Sequence, residues 1–357
     1  MKIIGVDLHT RQQTIAMLDD QTGELVEIEL PHEGDQVREF YAALPKPVLV
    51  GLEATGSMHW FLRLLEELAI EFRVGHPAQI RAAEPRKQKN DRRDARLLLT
   101  LLAENRFPAI WMPSIEQRDL QTLLRHRDQL VRLRTRVQLS LQAVALNHGL
   151  RRGHALWTRT GQHTLRALPL ARHAGVQRDT LLAVYPALQS PIRELDREVE
   201  QQAQRRPQAQ RLMTHPGVGP ITALATEVFL GAPQRFADGK AVASYVGMIP
   251  SERSSGGRQR IGRLSKQGNA LLRFLWGEAA IHAVRRDPEL RRFYRRKLVQ
   301  KGLGKARMAA ARKLGIRLWI MLRDEIDYTE FCRRGCSRQR SSGATGAGMP
   351  AAGQWSN

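Results

Sequence analysis

The sequence predicts a mixed α/β N-terminal domain, then a long helical coil, then a mostly α-helical C-terminal domain. Three observations carry this expectation. Over the first hundred residues, short runs with strand periodicity alternate with amphipathic stretches. From Glu116 to about Asn147 the apolar residues recur at helical spacing, with Arg filling much of the rest. Beyond Arg211, helical stretches separated by Gly- and Pro-containing turns dominate.

In chain order, Lys2–Asp7, Gln13–Leu18 and Leu25–Leu30 read as strands. Gln36–Ala43 reads as a short helix and Val48–Glu53 as a buried strand, continuous in Val and Leu. Met58–Leu68 is amphipathic, with Phe61, Leu64, Leu65 and Leu68 on one face. Phe72–Gly75 is a further strand, and Asp91–Asn105 a helix with Leu97, Leu98, Leu101 and Leu102 as its apolar stripe. A strand meander followed by βα units gives a mixed sheet over residues 1–106.

Residues 107–115, with Pro108 and Pro113, read as a linker. The long helix after it carries Leu120, Leu123, Leu124, Leu130, Val131, Val137, Leu141 and Val144 inward, as half of an antiparallel coiled coil. Its returning half is expected over Leu188–Gln204, so that linker and coil span 107–210; residues 148–180 find no place in this reading. The C-terminal domain spans 211–333. It opens on His215-Pro216-Gly217-Val218-Gly219-Pro220, a Gly-x-Gly turn into a helix over Ile221–Leu230, which can offer Gly217 and Gly219 backbone N–H groups to a phosphate. Helices over Asn269–Val284 and Lys305–Leu322 follow, and residues 334–357, rich in Gly, Ser, Ala and Pro, read as a disordered tail. Trp111, Trp157, Trp276 and Trp319 read as core or interface residues rather than base-stacking platforms.

Charge narrows the function classes. The chain of 357 residues holds 57 Lys plus Arg against 35 Asp plus Glu, a formal net charge of +22. Residues 1–80 hold 6 basic and 13 acidic residues, a net of −7, leaving 51 and 22, a net of +29, for the remainder. An acidic block that can hold a metal, joined to a basic remainder that can grip a polyanion, points to a nucleic acid. No apolar run approaches the ~20 residues of a membrane span, so no membrane partner is expected. The start Met-Lys-Ile-Ile-Gly-Val-Asp reads as a strand and not as a signal peptide. The two cysteines, Cys332 and Cys336, lack nearby His and make neither a disulfide framework nor a zinc site, which fits a reducing cytoplasm.

Four carboxylates suit a divalent ion. Asp7 and Glu53 each end a strand, and Asp91 and Asp94 are three apart at a helix start, on one helix face. Hard oxygen ligands of this kind suit Mg²⁺, with Mn²⁺ as the alternative. Each alone could be a turn or cap residue, and Asp91 could cap its helix after Asn90. His9, two residues after Asp7, points to the same face if the strand continues, and reads as a packing residue or a support of the ligands.

The combination Gly5-Val6-Asp7, Glu53-Ala54-Thr55-Gly56, Lys89-Asn90-Asp91-x-x-Asp94-Ala95-Arg96, Pro216-Gly217-Val218-Gly219 and Pro250-Ser251-Glu252-x-Ser254-Ser255-Gly256, with Gly262-Arg263-Leu264-Ser265-Lys266-Gln267-Gly268-Asn269, resembles one family over about residues 1–325. It is the bacterial insertion-sequence transposases with an Asp-Glu-Asp-Asp motif. The resemblance implies an RNase H-like (RuvC-like) N-terminal domain, a coiled coil, and a C-terminal transposase domain with a nucleophilic serine. It implies that Asp7, Glu53, Asp91 and Asp94 form the metal-binding tetrad and that Ser255 attacks a DNA phosphodiester. It further implies guidance by a structured noncoding RNA, the bridge RNA, that pairs with donor and target DNA, and assembly as a dimer to tetramer in a bacterial cytoplasm, at the nucleoid. Arg253, Arg258, Arg260, Arg263 and Lys266 surround the serine and can position the scissile strand. Two further readings stay open at this level. One is a metal-dependent nuclease of the Holliday-junction resolvase type, with water as nucleophile; the other is a nucleic-acid-binding protein on a degenerate RNase H fold.

Overall fold

A computed structural model describes residues 1–84, 90–151, 153–252 and 260–335. It divides into two compact units, Met1–Ile115 and Glu116–Asn357.

The first unit is a five-stranded sheet with helices on both faces. Its strands are β1 (Lys2–Leu8), β2 (Gln12–Asp19), β3 (Leu25–Pro31), β4 (Val48–Glu53) and β5 (Glu71–Gly75), in the order β3-β2-β1-β4-β5. The first three form an antiparallel meander, whereas β1 pairs with β4 and β4 with β5 in parallel. The parallel pairs need crossovers. These are α1 (Gln36–Ala42) before β4 and α2 (His59–Glu67) between β4 and β5. The helix α3 (Pro77–Ala83) follows β5, and α4 (Asp91–Ala103) comes after it.

Strand alternation assigns every central residue to a face. Ile4, Val6, Leu8, Val48, Val50 and Leu52 pack in one cluster with Phe61, Leu62 and Leu65 of α2. Ile3 and Leu49, one step out of phase, pack with Ala95, Leu99 and Leu102 of α4. On that second face Gly5 and Gly51 occupy the next positions. A Cβ on Gly5 would lie 2.3 Å from the Ala95 carbonyl oxygen and 2.4 Å from the Leu99 nitrogen, and one on Gly51 would strike Leu102. These glycines are what let α4 lie directly on β1 and β4. The α4 stripe differs slightly from the expected one: Leu99 is buried because it packs on Ile3 and Leu49 of the sheet, while Leu97 is only partly covered beside Ile80, Leu98 and Leu101.

The second unit begins with α5 (Ile115–Asn147). After α6 (Arg159–Arg166) the chain returns through α7 (Arg172–Arg205). Arg127 pairs with Asp196 at 2.8 Å, the Gln138 amide donates to the Tyr185 hydroxyl at 3.2 Å, and Leu141 shares a cluster with Leu182. All three pairs fit one antiparallel register. Two long antiparallel helices therefore stand where the coil is expected, but the returning helix starts at Arg172 rather than near Leu188. Pro186 and Pro191 lie inside α7. Each removes one intrahelical hydrogen bond, which a sequence reading takes as a stop. Burial of Leu182 and Tyr185 before them and Ile192 after them holds one continuous helix instead.

The remaining helices are α8 (Pro207–Met213), α9 (Pro220–Leu230), α10 (Gly239–Tyr245), α11 (Ala270–Arg286), α12 (Pro288–Lys301) and α13 (Leu303–Arg323), with a hairpin β6 (Pro250–Glu252) and β7 (Ile261–Leu264) between α10 and α11. Leu224, Val228, Leu272, Trp276, Leu314 and Leu318 lie at the centre of their core. Trp276 is wholly buried, with its indole N–H donating to Thr226 Oγ1 at 2.9 Å, and Trp319 donates to the Pro233 carbonyl at 2.9 Å, so both are core residues. Among the described residues no helix is long and apolar enough to cross a membrane.

Candidate active site

Asp7 belongs to the odd-numbered face of β1, the face on which α4 lies, and Glu53 to the corresponding face of β4. The parallel register pairs Val6 with Leu52, so Asp7 and Glu53 sit one residue beyond the last paired rung, at the same carboxyl edge of the sheet. Asn90 caps α4: its side chain accepts from the Arg92 N–H at 3.2 Å. That releases Asp91 from the capping role the sequence left open, and both Asp91 and Asp94 stand in the first turn, where the helix dipole favours negative charge. Arg92 and Arg96 tie the helix to β3 through Glu29 and Glu27. Two strand ends thus place Asp7 and Glu53 at one edge, and the start of α4 brings Asp91 and Asp94 into the surroundings of Asp7.

Among the described residues, the group at this edge that could hold an ion takes in Asp7 and Asp91 of the four carboxylates, with His9, and leaves Glu53 and Asp94 outside it. Ligand atoms of Asp7, His9 and Asp91 lie within 4.8 Å of one another. His9 Nε2 is 3.1 Å from Asp7 Oδ2 and 3.5 Å from Asp91 Oδ2. Burial pushes the Asp7 carboxyl above its ordinary value; His9 pulls it down, while Asp94 and Asp91 push it further up. Mutual repulsion among carboxylates is relieved by a bound cation, and the donor set fits one.

The residues that flank the Ser255 segment form the β6–β7 hairpin. Ser265 N–H donates to the Ile249 carbonyl at 2.8 Å and Lys266 N–H to the Gly247 carbonyl at 3.2 Å, which clamps the two arms together. The Ser251 hydroxyl donates to the Arg263 carbonyl at 3.0 Å. Lys266 itself has φ +55°, in the left-handed region, and Asn269 caps α11 by accepting from the Leu272 N–H at 3.0 Å. Arg253, Ser254, Ser255, Gly256 and Arg258 fall outside the described residues. Arg260, Arg263 and Lys266 are exposed on the hairpin and just past it.

Gly217 and Gly219 have separate settings. Gly217 has φ +86°, and a Cβ there would lie 2.5 Å from the Ala283 nitrogen, so its lack of a side chain lets the turn pack on α11. Gly219 is exposed at the N-cap of α9. Sequence reasoning missed α12. Its signal was the Asp287-Pro288-Glu289 start, which the structure shows as a cap: Asp287 accepts from the Leu290 N–H at 2.8 Å. With α13 it lines an open groove of about 850 Å³ that carries Arg292, Arg296 and Arg312.

Comparison with known proteins bears on both units. Residues 4–148 match a transposase family of the Asp-Glu-Asp-Asp type named for IS110, and residues 209–295 match the family described as Transposase IS116/IS110/IS902. A "Probable family 20 transposase" of Pseudomonas aeruginosa is 30% identical over 82% of this chain and 89% of its own length. The chain belongs to the IS110/IS116 family of transposases. The "Transposase for insertion sequence element IS1111A" of Coxiella burnetii is 24% identical over 92% of this chain and 91% of its own length. The "Transposase for insertion sequence element IS1328" of Yersinia enterocolitica is 27% identical over 69% and 73%. Membership in the IS110 family makes DNA the substrate of this chain and a divalent metal its expected helper, and the mixed sheet of the first unit is consistent with the RuvC-like fold.

Proposed function

We propose that this IS110-family transposase moves its insertion sequence by serine-based strand exchange at a metal-assisted site, guided by a structured noncoding RNA. What supports the metal half of this reading is that Asp7 and Glu53 stand at the same edge of the β1–β4 pair, with Asp91 beside Asp7 and Asp94 in the same first turn of α4. Asp7, Glu53, Asp91 and Asp94 would hold a Mg²⁺ or Mn²⁺ ion, which would supply positive charge to offset that of the phosphate. Ser255 Oγ attacks a DNA phosphorus and loses its proton; the P–O bond to one sugar breaks, and that sugar oxygen takes up a proton. The phosphoserine link preserves the bond energy, and a second DNA hydroxyl then displaces the serine, which restores a DNA phosphodiester. Arg253, Arg258, Arg260, Arg263 and Lys266 hold the phosphates, bidentately where Arg is used. Gly219, exposed before α9, offers a backbone contact to the same strand.

The basic surplus of +29 after residue 80 supports an extended second polyanion besides DNA, and the Arg-rich coil supplies surface for a structured RNA. Assembly as a dimer to tetramer would bring two DNA partners together.

The test is to trap the reaction under denaturing conditions. Wild type should yield a covalent protein–DNA adduct whose linked peptide contains Ser255. Ser255→Ala should yield neither adduct nor recombinant, while Ser254→Ala keeps substantial activity. Metal-dependent cleavage with no adduct would select the nuclease reading, with water as nucleophile.

A further inference from the structure

We propose that His9 is a nitrogen ligand of the catalytic cation and makes the site prefer Mn²⁺ over Mg²⁺. This rests on the reading of Asp7 and Asp91 as cation ligands and goes beyond the four-carboxylate motif. Three observations support it. His9 follows Asp7 by two positions at the end of β1, and its backbone N–H donates to the Gln12 carbonyl at 3.0 Å, which closes the turn into β2. The imidazole is thus carried on a constrained turn and directed to the face where Asp7 lies. Its Nε2 sits 3.1 Å from Asp7 Oδ2 and 3.5 Å from Asp91 Oδ2. Neighbouring donors that are each about 2.1 Å from an octahedral ion lie roughly 3 Å apart, so these separations match those of atoms sharing one ion. Finally, the group whose ligand atoms converge within 4.8 Å is Asp7, His9 and Asp91, a nitrogen with two carboxylates.

The chemistry of that donor set decides the preference. Mg²⁺ takes oxygen ligands and holds its waters tightly, so an imidazole adds little to its binding. Mn²⁺ is the weakest nitrogen binder among the first-row divalent ions, but it still gains more from an imidazole than Mg²⁺ does. Both ions remain able to occupy the carboxylates, and His9 sets the ratio between them.

The experiment uses the full-length protein with Mn²⁺ alone, then Mn²⁺ in competition with Mg²⁺. Pulsed electron paramagnetic resonance of the bound Mn²⁺ reads the ¹⁴N coupling of a directly coordinated imidazole. Wild type should show that coupling. His9→Ala should lose it and bind Mn²⁺ on the order of 10-fold more weakly, with Mg²⁺ affinity nearly unchanged. His9→Gln, which offers an oxygen instead, should recover Mn²⁺ binding in part without any ¹⁴N coupling. Unchanged melting of both variants shows that the fold is kept. Mn²⁺ bound to wild type with no nitrogen coupling, or an unaltered Mn²⁺/Mg²⁺ ratio in His9→Ala, overturns the role of His9 alone. Failure of wild type to bind either ion, with Asp7→Asn indistinguishable from it, overturns the metal reading together with this one.

Discussion

Asp7 illustrates how neighbours set the chemistry of one residue. Its carboxyl is half-buried, flanked by His9 and pressed by Asp91 and Asp94, so it gains most from a cation. Asp7→Asn, Glu53→Gln, Asp91→Asn and Asp94→Asn should each abolish strand cleavage in a plasmid recombination assay, by on the order of 100-fold or more. Nucleic-acid binding should persist in gel-shift titrations, because losing a carboxylate reduces repulsion toward phosphate. Two of these variants recombining at the wild-type rate in Mg²⁺ would remove the tetrad from the mechanism. That Asp7 and Glu53 stand at strand ends, and Asp91 and Asp94 in the first turn of a helix, was legible from residue type and spacing. The place of His9 was not, because two-residue alternation says which face it points to and nothing about the helix that faces it.

At the scale of elements, the β1–α4 contact governs the site. Gly5 admits α4 backbone atoms to a distance that no side chain tolerates. Gly5→Ala should push α4 outward at a cost of about 1–3 kcal/mol, the usual penalty of overpacking, and should also weaken Mn²⁺ binding although Gly5 carries no ligand. Thermal melting and metal titration of the same variant check both halves; retention of full metal affinity would show that α4 is not set by this contact. On the sequence, Gly5 looked like part of a motif without a reason, and the structure supplies it. The same holds for Gly217 against α11. Conversely, α12 escaped notice because of its fourteen residues only Leu290 is buried, so it has almost no apolar stripe to betray it.

For the molecule as a whole, pH and salt are the informative variables. His215 is fully buried beside Asp287, Arg317 and Tyr328, with its Nδ1–H donating to the Pro216 carbonyl at 3.0 Å. Burial above all holds its pKa down to about 4, from an ordinary 6.5. Between these values the unfolded chain binds a proton that the folded chain refuses. Folding stability therefore falls as pH drops from about 6.5 toward 4, by up to ~3 kcal/mol from this residue. Urea midpoints at pH 7 and pH 5 should show the loss, and His215→Gln should flatten the slope; an unchanged slope in that variant would assign the pH dependence elsewhere. Separately, the large basic surplus predicts RNA affinity that falls steeply with salt, since each neutralised phosphate releases counterions. RNA recovered with the protein from cells carrying the whole element should be enriched in the element's noncoding end. If no such RNA is enriched and recombination runs on protein and DNA alone, the sites are found by direct readout of DNA.

Local order and charge were settled by the sequence itself. Ile and Val in β1 and Val and Leu in β4 mark strands, Leu stripes mark α4 and α5 as helices, and the sign of each segment follows from counting. Those properties depend on neighbours a few residues apart. What only the tertiary structure decided depends on residues far apart in the chain. It joined α7 through two prolines because buried contacts outweigh two lost hydrogen bonds. It gave capping to Asn90 and so left the Asp91 carboxylate free of that role. It laid α4 on Gly5 and Gly51, which brought Asp91 beside Asp7 and His9. Close packing is a property of pairs, and no single stretch of sequence contains both members of such a pair.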